Sequence, residues 1–393
     1  MKCWELFGLY RSTELRQEVR ALLSSPEVQE ELAGLTRAAD GSQIHARRAY
    51  AALGSAGLLA PHWPKEFGGR GGTTSDAAEV AEEMALAGVP DSAHVNTTLN
   101  IGETLLKFGN KQQKAAYLPA IASGTLVGCV LYSEPGVGSD LGALTTEAVP
   151  TDTGWELTGR KIWAVHVPDA DLGVCAARVP GSGNRYEGLS TFLVPLAGPG
   201  IEVELLDAAN PEALYAVDFQ AARLPNEALI GTLGSGWHVI NRALSSERNG
   251  MLYSGRARRW LCVLNEALLH TPTPSPRRSA LLDAIGQLDA ELRAARLAAW
   301  RCVQTGEEGG DTYVDAAATK WWLSEVAARV ADLCWHVRRF APEAPLGPSI
   351  EAICEEALAL RPALTLAAGS SEMMLSIVLE DLCGSETAAE VPG

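Results

Sequence analysis

The chain changes its sequence pattern twice, and the order of the three patterns is the strongest constraint on its fold. Residues 1–124 carry apolar side chains at helical spacing, such as Leu15 and Val19, whereas residues 125–237 alternate short β-prone runs with Gly, Pro and Asp turns. The helical period returns in residues 238–393. Because this order lacks the βαβα alternation of a doubly wound sheet, we predict an α+β protein. It would have an N-terminal α-helical domain, a middle β-domain built as a barrel or sandwich, and a C-terminal helical bundle.

Local runs within these regions predict individual elements. The middle region has four β-prone runs that we expect to be strands: Val127–Tyr132, Gly173–Val179, Thr191–Val194 and Ala216–Phe219. In the C-terminal region the helical period is clearest in two segments: Leu281–Trp300 and Tyr313–Phe340.

The charge balance and the residue spacing exclude several classes of function. The chain has 32 Lys and Arg residues and 48 Asp and Glu residues, and its net charge of −16 repels nucleic-acid phosphates. No apolar run reaches the roughly 18–20 residues that span a bilayer, and the start of the chain lacks a signal-peptide core, so we expect a cytoplasmic protein that binds no membrane. The sequence has no CxxC pair, no HExxH motif and no GxSxG elbow, so we predict neither a metal site nor a serine hydrolase.

The densest motif is the glycine-rich run Tyr132–Asp140, which reads Tyr-Ser-Glu-Pro-Gly-Val-Gly-Ser-Asp. With Gly142 its glycines are spaced one residue too far apart for the dinucleotide-binding GxGxxG motif, and no helical period follows. The run therefore predicts a strand that ends in a turn with exposed N–H groups and two hydroxyls. Such a turn is either an ordinary β-turn or a site for the edge of a heterocycle or a thioester tail.

Two other residues point to chemistry, and each has a plainer alternative. Trp163 is expected near the start of a strand, where an indole packs either on a flat cofactor or in the core. Glu247 is expected on one helix with Ile240 and Met251, about 20° from Ile240 around the helix axis. Its carboxylate either is buried, which raises the pKa and suits it to proton abstraction, or lies partly exposed at the edge of the apolar stripe.

Six short segments together carry a family resemblance. In chain order they are Trp63–Gly69, Tyr132–Asp140, Gly159–Trp163, Leu224–Asn226, Gly234–Trp237 and Ala368–Met374. In this order and at these separations, the chain resembles the acyl-CoA dehydrogenase family over nearly its whole length. The resemblance implies an N-terminal α-helical domain (1–124), a middle β-domain (125–237) and a C-terminal four-helix bundle (238–393). It also implies the family's chemistry, in which a glutamate takes the α-proton of an acyl thioester and a hydride leaves the β-carbon for FAD.

The resemblance implies cofactor contacts at five positions. Val130 and Ser133 would edge the flavin ring, and Trp163 would pack on it. Ser370 and Glu372 would approach the FAD phosphates of the same subunit. The hydroxyl that usually reaches the flavin two residues after the tryptophan is replaced by a valine in this chain.

The resemblance also implies the substrate-facing positions. Many members place the catalytic glutamate where this chain has Ala368, which cannot accept a proton. Another branch places the base on the first C-terminal helix, and Glu247-Arg248 matches the Glu-Arg of that branch, so we predict Glu247 as the base. Arg248 would either face the substrate or pair with an acid on a neighbouring helix, and Ser139 would touch the thioester ligand.

Two segments that family members lend across the dimer to the partner's FAD are missing. In their places stand a proline-rich stretch at residues 271–276 and residues 340–349. We therefore expect the isolated chain to hold FAD weakly or not at all. A sister acyl-CoA dehydrogenase subunit would complete the site, as the resemblance to heteromeric, steroid-type members implies.

Two functions from different classes stay open at this point. One is an FAD-dependent dehydrogenase subunit that acts on an acyl-CoA or an acyl-carrier-protein thioester and passes electrons to an electron-transfer flavoprotein. The other is an FAD-free family member that serves as a non-redox partner, a scaffold or a proton-transfer catalyst. In either case we expect an oligomer, because the adjacent Trp321 and Trp322 point about 100° apart on one helix and one apolar stripe cannot bury both. The alternative is that both tryptophans lie inside this chain's own bundle, packed against the β-domain.

Overall fold

The structure, a computed structural model, describes most of the chain as two compact units. The described residues are 13–35, 45–181, 184–208, 212–247, 250–269, 276–340 and 348–383, with the backbone alone at 245–247, 340, 348 and 349. The helical unit comprises the described parts of Met1–Ser24, Thr73–Val89 and Arg248–Gly393. The mixed unit comprises the described parts of Ser25–Gly72 and Pro90–Glu247.

The predicted fold class is confirmed, because helical regions at both ends of the chain flank a central β-sheet region. The helices are α1 (Glu14–Leu23), α2 (Pro26–Gly34), α3 (Arg47–Ser55), α4 (Thr74–Ala87), α5 (Ser92–His94), α6 (Glu103–Phe108), α7 (Lys111–Ala122), α8 (Gly236–Glu247), α9 (Met251–Leu269), α10 (Pro276–Glu307), α11 (Tyr313–Phe340), α12 (Pro348–Leu366) and α13 (Ser371–Cys383). A π-helical segment, Val95–Gly102, joins α5 to α6. The residue bounds of the three predicted domains stay a prediction.

The strands of the central region form one eight-stranded sheet in the mixed unit. They are β1 (Gly128–Leu131), β2 (Glu147–Thr151), β3 (Gly154–Ala164), β4 (Leu172–Arg178), β5 (Leu189–Pro195), β6 (Ile201–Leu206), β7 (Leu214–Pro225) and β8 (Leu229–Ile230). Their order is β6-β7-β3-β2-β4-β5-β8, and β1 pairs in parallel with β4. The chain neighbours β2–β3, β4–β5 and β6–β7 pair antiparallel. All four expected runs lie on strands, namely β1, β4, β5 and β7.

The expectation that Trp163 begins a strand is wrong. Trp163 is the penultimate residue of β3, which starts at Gly154 after the two-residue turn that follows β2. The apolar Leu157 is buried on this strand. The pairing of β3 with β7 shifts register between Leu157 and Gly159, so the strand accommodates the glycine as an irregularity and continues past it.

The core of the helical unit lies between α9, α10, α11 and α12, which pack against one another as the expected four-helix bundle. Trp260 and Leu264 of α9 and Val326 of α11 are fully buried in this core. Arg296 of α10 donates to the buried Glu82 of α4, with its Nη2 2.7 Å from Oε2. This ion pair therefore offsets the free-energy cost of burying the ionised Glu82 carboxylate.

Both tryptophans of the adjacent pair find neighbours within the helical unit. Trp321 packs against Met374 and Ile377 of α13, and Trp322 packs against the bundle core, where its Nε1 donates to Glu291 Oε1 at 3.0 Å. The two indoles are half-buried on different sides of α11. The expected oligomer therefore does not need them as its interface.

The expectation of one helix carrying Ile240, Glu247 and Met251 is wrong, because α8 ends at Glu247 and α9 begins at Met251. Ile240 is buried in the mixed unit and Met251 in the helical unit. Gly250 accounts for the new start: its φ of 79° is one that side chains rarely adopt, and a Cβ there would lie 2.5 Å from Leu323 Cδ1.

One stretch among the described residues, Ile350–Cys383, is long and apolar enough by composition to cross a membrane. Core helices of globular proteins meet the same criteria. Within this stretch, Cys354, Ala357 and Met374 are buried in the helical unit. The expectation that the chain binds no membrane stays a prediction.

Candidate active site

The ends of β1 and β3 bring three predicted cofactor residues together in the mixed unit. The Ile162 N–H donates to the Ser133 carbonyl oxygen at 2.9 Å, which places Trp163 beside the turn that follows β1. Trp163 is 54% exposed, and its φ of 62° lies in the left-handed region that a bulky residue rarely occupies. Ser133 and Val130 are half-buried. These strand ends thus present a flat apolar ring next to a hydroxyl.

A buried ion pair that sequence reasoning missed holds these strand ends in place. Lys161 Nζ lies 2.7 Å from Glu134 Oε1 and 3.2 Å from the Tyr132 carbonyl oxygen. Glu134 also accepts from the backbone N–H groups of Thr145 at 2.6 Å and Thr146 at 2.9 Å. Burial alone would raise the pKa of Glu134, but the Lys161 charge and these hydrogen bonds lower it to about 2.

A second missed cluster fixes the segment that follows Trp163. His166 is fully buried with a φ of 62°, and its Nε2 lies 2.7 Å from Ser92 Oγ. Ser92 Oγ donates in turn to Glu212 Oε1 at 2.5 Å. Burial, assisted by His45, lowers the pKa of His166 to about 4, so the imidazole is neutral near pH 7.

The glycine-rich turn after β1 is exposed along most of its length. A two-way backbone hydrogen bond between Glu134 and Val137, 2.8 Å in each direction, closes the turn. Beyond it Ser139 and Asp140 are exposed, and the Asp140 carboxylate accepts from the Arg185 guanidinium. Ser139 therefore lies where a ligand can reach it, and its contact with a thioester stays a prediction.

The predicted base occupies the last position of α8. Ile240 and Ala243, which precede Glu247 by seven and four residues on that helix, are buried. The side chain of Glu247 and the whole of Arg248 lie outside the described residues. Both assignments stay predictions.

The helical unit carries the other three predicted site residues around the start of α13. Ala368, which stands where other members place their glutamate, has a φ of 58°. It is one of four non-glycine residues with a positive φ among the described residues. Ser370 caps α13, and its Oγ accepts from the Met373 N–H at 3.3 Å. The exposed Glu372 receives hydrogen bonds from its own backbone N–H and from the Ser370 hydroxyl, which lower the pKa of its carboxyl group. This helix start therefore already carries a negative charge.

Three family models match successive parts of the chain. They are described as the acyl-CoA dehydrogenase N-terminal domain at residues 11–125, the middle domain at residues 129–217 and the C-terminal domain at residues 234–383. The chain belongs to the acyl-CoA dehydrogenase family. This is a family of oxidoreductases, as the resemblance in the sequence predicts.

The alignments of this acyl-CoA dehydrogenase family member with individual relatives cover different shares of each chain. Acyl-CoA dehydrogenase FadE34 of Mycobacterium tuberculosis is 31% identical over 340 residues, which are 85% of this chain and 45% of FadE34. The chain therefore spans less than half the length of that relative. Acyl-CoA dehydrogenase FadE26 of the same organism is 28% identical over 93% of this chain and 94% of FadE26. Among solved structures, a variant of the "Tcur3481-Tcur3483 steroid ACAD" superposes with a TM-score of 0.79 and 28% identity over 97% of this chain and 98% of that chain.

Acyl-CoA dehydrogenases normally bind FAD, and the described residues fit the two ends of that cofactor unequally. At the ring end, the exposed indole of Trp163 and the neighbouring Ser133 match a flat, hydrogen-bonding heterocycle. Of the residues predicted to approach the phosphates, Ser370 has a hydroxyl that suits a phosphate, but the ionised carboxylate of Glu372 would repel one. The residues predicted for the ring thus suit a flavin, whereas Glu372 does not suit a phosphate.

Proposed function

We propose that the chain is one subunit of a heteromeric, FAD-dependent acyl thioester dehydrogenase. The observation that carries the proposal is the exposed Trp163, whose backbone has a left-handed φ and which lies beside Ser133 at the ends of β3 and β1. A bulky residue with a left-handed backbone conformation has an energetic cost, and such backbone strain is typical of ligand-binding sites. Family membership makes a flavin the natural occupant of this surface.

In the proposed reaction, the Glu247 carboxylate takes the α-proton of the acyl thioester. FAD, when bound, supplies the acceptor for the hydride that leaves the β-carbon, so that a carbon–carbon double bond forms. Val130 and Ser133 would edge the ring and Trp163 would pack on one of its faces, which would shield that face from water and leave the opposite face for the substrate. Ala368 leaves the other position of the family base without a carboxylate, and this supports Glu247 as the base.

Two features support a heteromer with a sister acyl-CoA dehydrogenase subunit. The segments that members of the resembled family lend to their partner's FAD are absent from the sequence at residues 271–276 and 340–349. The helical unit also leaves apolar side chains of α12 and α13 exposed, with Leu366 at 67%, Leu379 at 56% and Leu382 at 75%. The similar steroid ACAD carries two names, Tcur3481 and Tcur3483, in its description.

The other partners and the location follow as proposals of the same kind. We propose an electron-transfer flavoprotein as the acceptor and the cytoplasm as the location, without nucleic-acid or membrane binding. The net charge of −16 supports the lack of nucleic-acid binding, because it opposes approach to a phosphate backbone.

A second function is favoured by one observation, the ionised Glu372 where the FAD phosphates would lie. An FAD-free member would act as a non-redox partner or scaffold, or as a proton-transfer catalyst through Glu247. The visible absorbance spectrum separates the two functions. Co-purification of the chain with a candidate sister subunit that yields a flavin band and an acyl-thioester-dependent bleaching of that band supports the dehydrogenase. A colourless protein in every combination supports the FAD-free function.

A further inference from the structure

Strand β6 forms an edge of the eight-stranded sheet, and among the described residues no strand pairs with its outer side. We call this outer side of Ile201–Leu206 the open edge. The Gln220 N–H donates to the Gly200 carbonyl oxygen at 2.8 Å, which fixes the phase of the regular ladder between β6 and β7. In an antiparallel ladder the hydrogen-bonding direction alternates from residue to residue. The even-numbered residues of β6 therefore direct their backbone N–H and C=O groups to β7, whereas the odd-numbered residues direct theirs to the open edge.

The side chains of the odd-numbered residues extend the apolar face of the sheet beyond its core. Val203 lies opposite Val217 of β7 and Leu205 lies opposite Tyr215, and residues that lie opposite each other on antiparallel strands share one face. Val217 and Tyr215 are buried in the core, but Val203 is 44% exposed and Leu205 is 51% exposed. An apolar face that continues to an unpaired edge can accept a further strand, whose backbone pairs with the edge and whose side chains cover the face.

The other face of the open edge is acidic. Glu202 and Glu204 alternate with the apolar residues of β6 and are exposed, and Asp218 of β7 lies opposite Glu202. The Arg160 guanidinium of β3 pairs with Glu204 and Asp218, so three carboxylates share one cation. Within the part of the chain that the structure describes, no cation pairs with Glu202. This face of the edge therefore has a net negative charge.

The charges of the open edge discriminate between the strands that it could accept. If two copies of β6 paired antiparallel with their apolar residues on one face, the glutamates of one copy would lie opposite the glutamates of the other. Like charges that lie directly opposite each other destabilise a pair of strands. A strand with Lys or Arg at alternate positions would instead place a cation opposite Glu202 and Glu204. Its remaining side chains, if apolar, would cover Val203 and Leu205.

We propose that the open edge of β6 is a docking site for a strand of another protein in which Lys or Arg residues alternate with apolar residues. The backbone groups of Val203 and its odd-numbered neighbours supply the hydrogen bonds that hold the strand, and Glu202 and Glu204 supply the preference for a basic one. The net charge of −16 attracts such a partner at longer range. The site contains none of the candidate active-site residues, so the proposal does not depend on the proposed function.

Fluorescence anisotropy with labelled, end-blocked peptides tests the proposal on the full chain, in the oligomer in which it purifies. The first peptide is Lys-Val-Lys-Val-Lys-Val-Lys. The second has the same composition in the order Lys-Lys-Val-Val-Val-Lys-Lys and measures the general attraction of an acidic chain for a cationic peptide. The third has Glu in place of every Lys of the first. We expect the alternating basic peptide to bind at least about tenfold more tightly than either of the others.

Three variants of the chain locate the binding at the open edge. Val203→Pro removes an N–H group that β7 does not use, so the sheet should persist while the alternating basic peptide binds at least about tenfold more weakly. Glu202→Gln removes one carboxylate and should weaken the binding of this peptide about threefold. Glu147→Gln is the matched control, because Glu147 is also an exposed strand glutamate but lies on β2, between β3 and β4. It should bind all three peptides like the wild type.

Each outcome either supports or overturns the docking site. Selective binding of the alternating basic peptide that Val203→Pro and Glu202→Gln weaken, and that Glu147→Gln leaves unchanged, supports it. Equal affinity for the first two peptides, or no binding of the first, would overturn it, and so would an equal loss in Glu202→Gln and Glu147→Gln. Self-association of the wild type that Val203→Pro abolishes would make a second copy the occupant and would overturn the basic partner. None of these results bears on flavin binding or turnover.

Discussion

Lys161 Nζ lies 2.7 Å from Glu134 Oε1, and both side chains are buried. The pair joins β3, whose penultimate residue is the exposed Trp163, to the turn that carries Ser133. Because each charge has lost its water, each depends on the other and on the hydrogen bonds around it. The geometry of the candidate flavin surface therefore depends on two residues that would not touch the ring.

The first prediction concerns this pair. Lys161→Met leaves the Glu134 carboxylate buried without its counter-charge and should lower the free energy of unfolding by about 3–5 kcal/mol. The neighbouring Arg160 is the matched control, because it pairs with Asp218 and Glu204 at a partly exposed site, and Arg160→Met should cost much less than Lys161→Met. Urea unfolding measures both values, and equal costs would contradict the role given to the buried pair.

The second prediction concerns the base. Glu247→Gln removes the proton acceptor while nearly preserving the shape of the side chain. Turnover of an acyl thioester by the flavin-loaded heteromer should fall at least about 10²-fold. The unfolding temperature should not change, and Glu308→Gln, at an exposed position after α10, should retain full activity. Near-normal turnover in Glu247→Gln would show that the base lies elsewhere.

The third prediction concerns cofactor retention. Dialysis against flavin-free buffer should strip FAD from the chain when it is purified without a sister subunit. Glu372→Gln removes the negative charge at the start of α13 and should slow this loss several-fold, most clearly at low salt. Glu380→Gln, on the same helix, is the control and should behave like the wild type. Stoichiometric FAD that survives dialysis in a homo-oligomer of the wild type would contradict the heteromer proposal.

The fourth prediction concerns acid stability. Burial, with His62 nearby, lowers the pKa of His94 to about 4, and burial, with His45 nearby, does the same for His166. In the unfolded chain both imidazoles become protonated near pH 6.5, whereas in the folded protein they become protonated only near pH 4. Each neutral, buried imidazole therefore makes its full contribution to the free energy of unfolding above about pH 6.5. This contribution is lost as the pH falls towards 4, and the loss is up to about 3 kcal/mol for each histidine.

Urea unfolding across this pH range tests the acid effect directly. His94→Leu removes one of the histidines whose pKa is lowered by burial and should reduce the slope of unfolding free energy against pH, while His166 and His45 keep their contributions. Substitution of the exposed His238 by Asn serves as the control and should keep the wild-type slope. A His94→Leu protein with the full slope would exclude His94 as one of its sources.

The sequence predicts those parts of the fold that have a local pattern. The helix expected at Tyr313–Phe340 is observed with those bounds, and the four apolar runs of the middle region all lie on strands. Strands β2 and β6, whose side chains are largely exposed, were missed because neither contains a continuous apolar run, although β6 alternates apolar and acidic residues from Ile201 to Leu205. The break between α8 and α9 was missed because Ile240 and Met251 have helical spacing but are buried in different units.

The candidate site divides in the same way. Motif resemblance identifies Ser133 and Trp163, and the structure places them at adjoining strand ends. The residues that hold these strand ends come from distant parts of the chain, so no local spacing marks them. Lys161 and Glu134 are 27 positions apart, and Ser92 and His166 are 74 positions apart. Only the pairing of strands and the packing of loops bring such partners together.

The last prediction concerns assembly through the C-terminal helix. On α13 the side chains of Leu379 and Leu382 are exposed, whereas Met374 and Ile377 of the same helix are buried in the helical unit. A helix with apolar residues on its outer face is typical of an interface, and two-fold assembly is the commonest way to cover it. Sedimentation velocity at low micromolar concentration should therefore show an oligomer. Leu379→Asp with Leu382→Asp should shift it towards monomer, while Leu297→Asp, at an equally exposed position on α10, should not. A wild-type monomer that stays unchanged when the sister subunit is added would contradict both the interface and the heteromer.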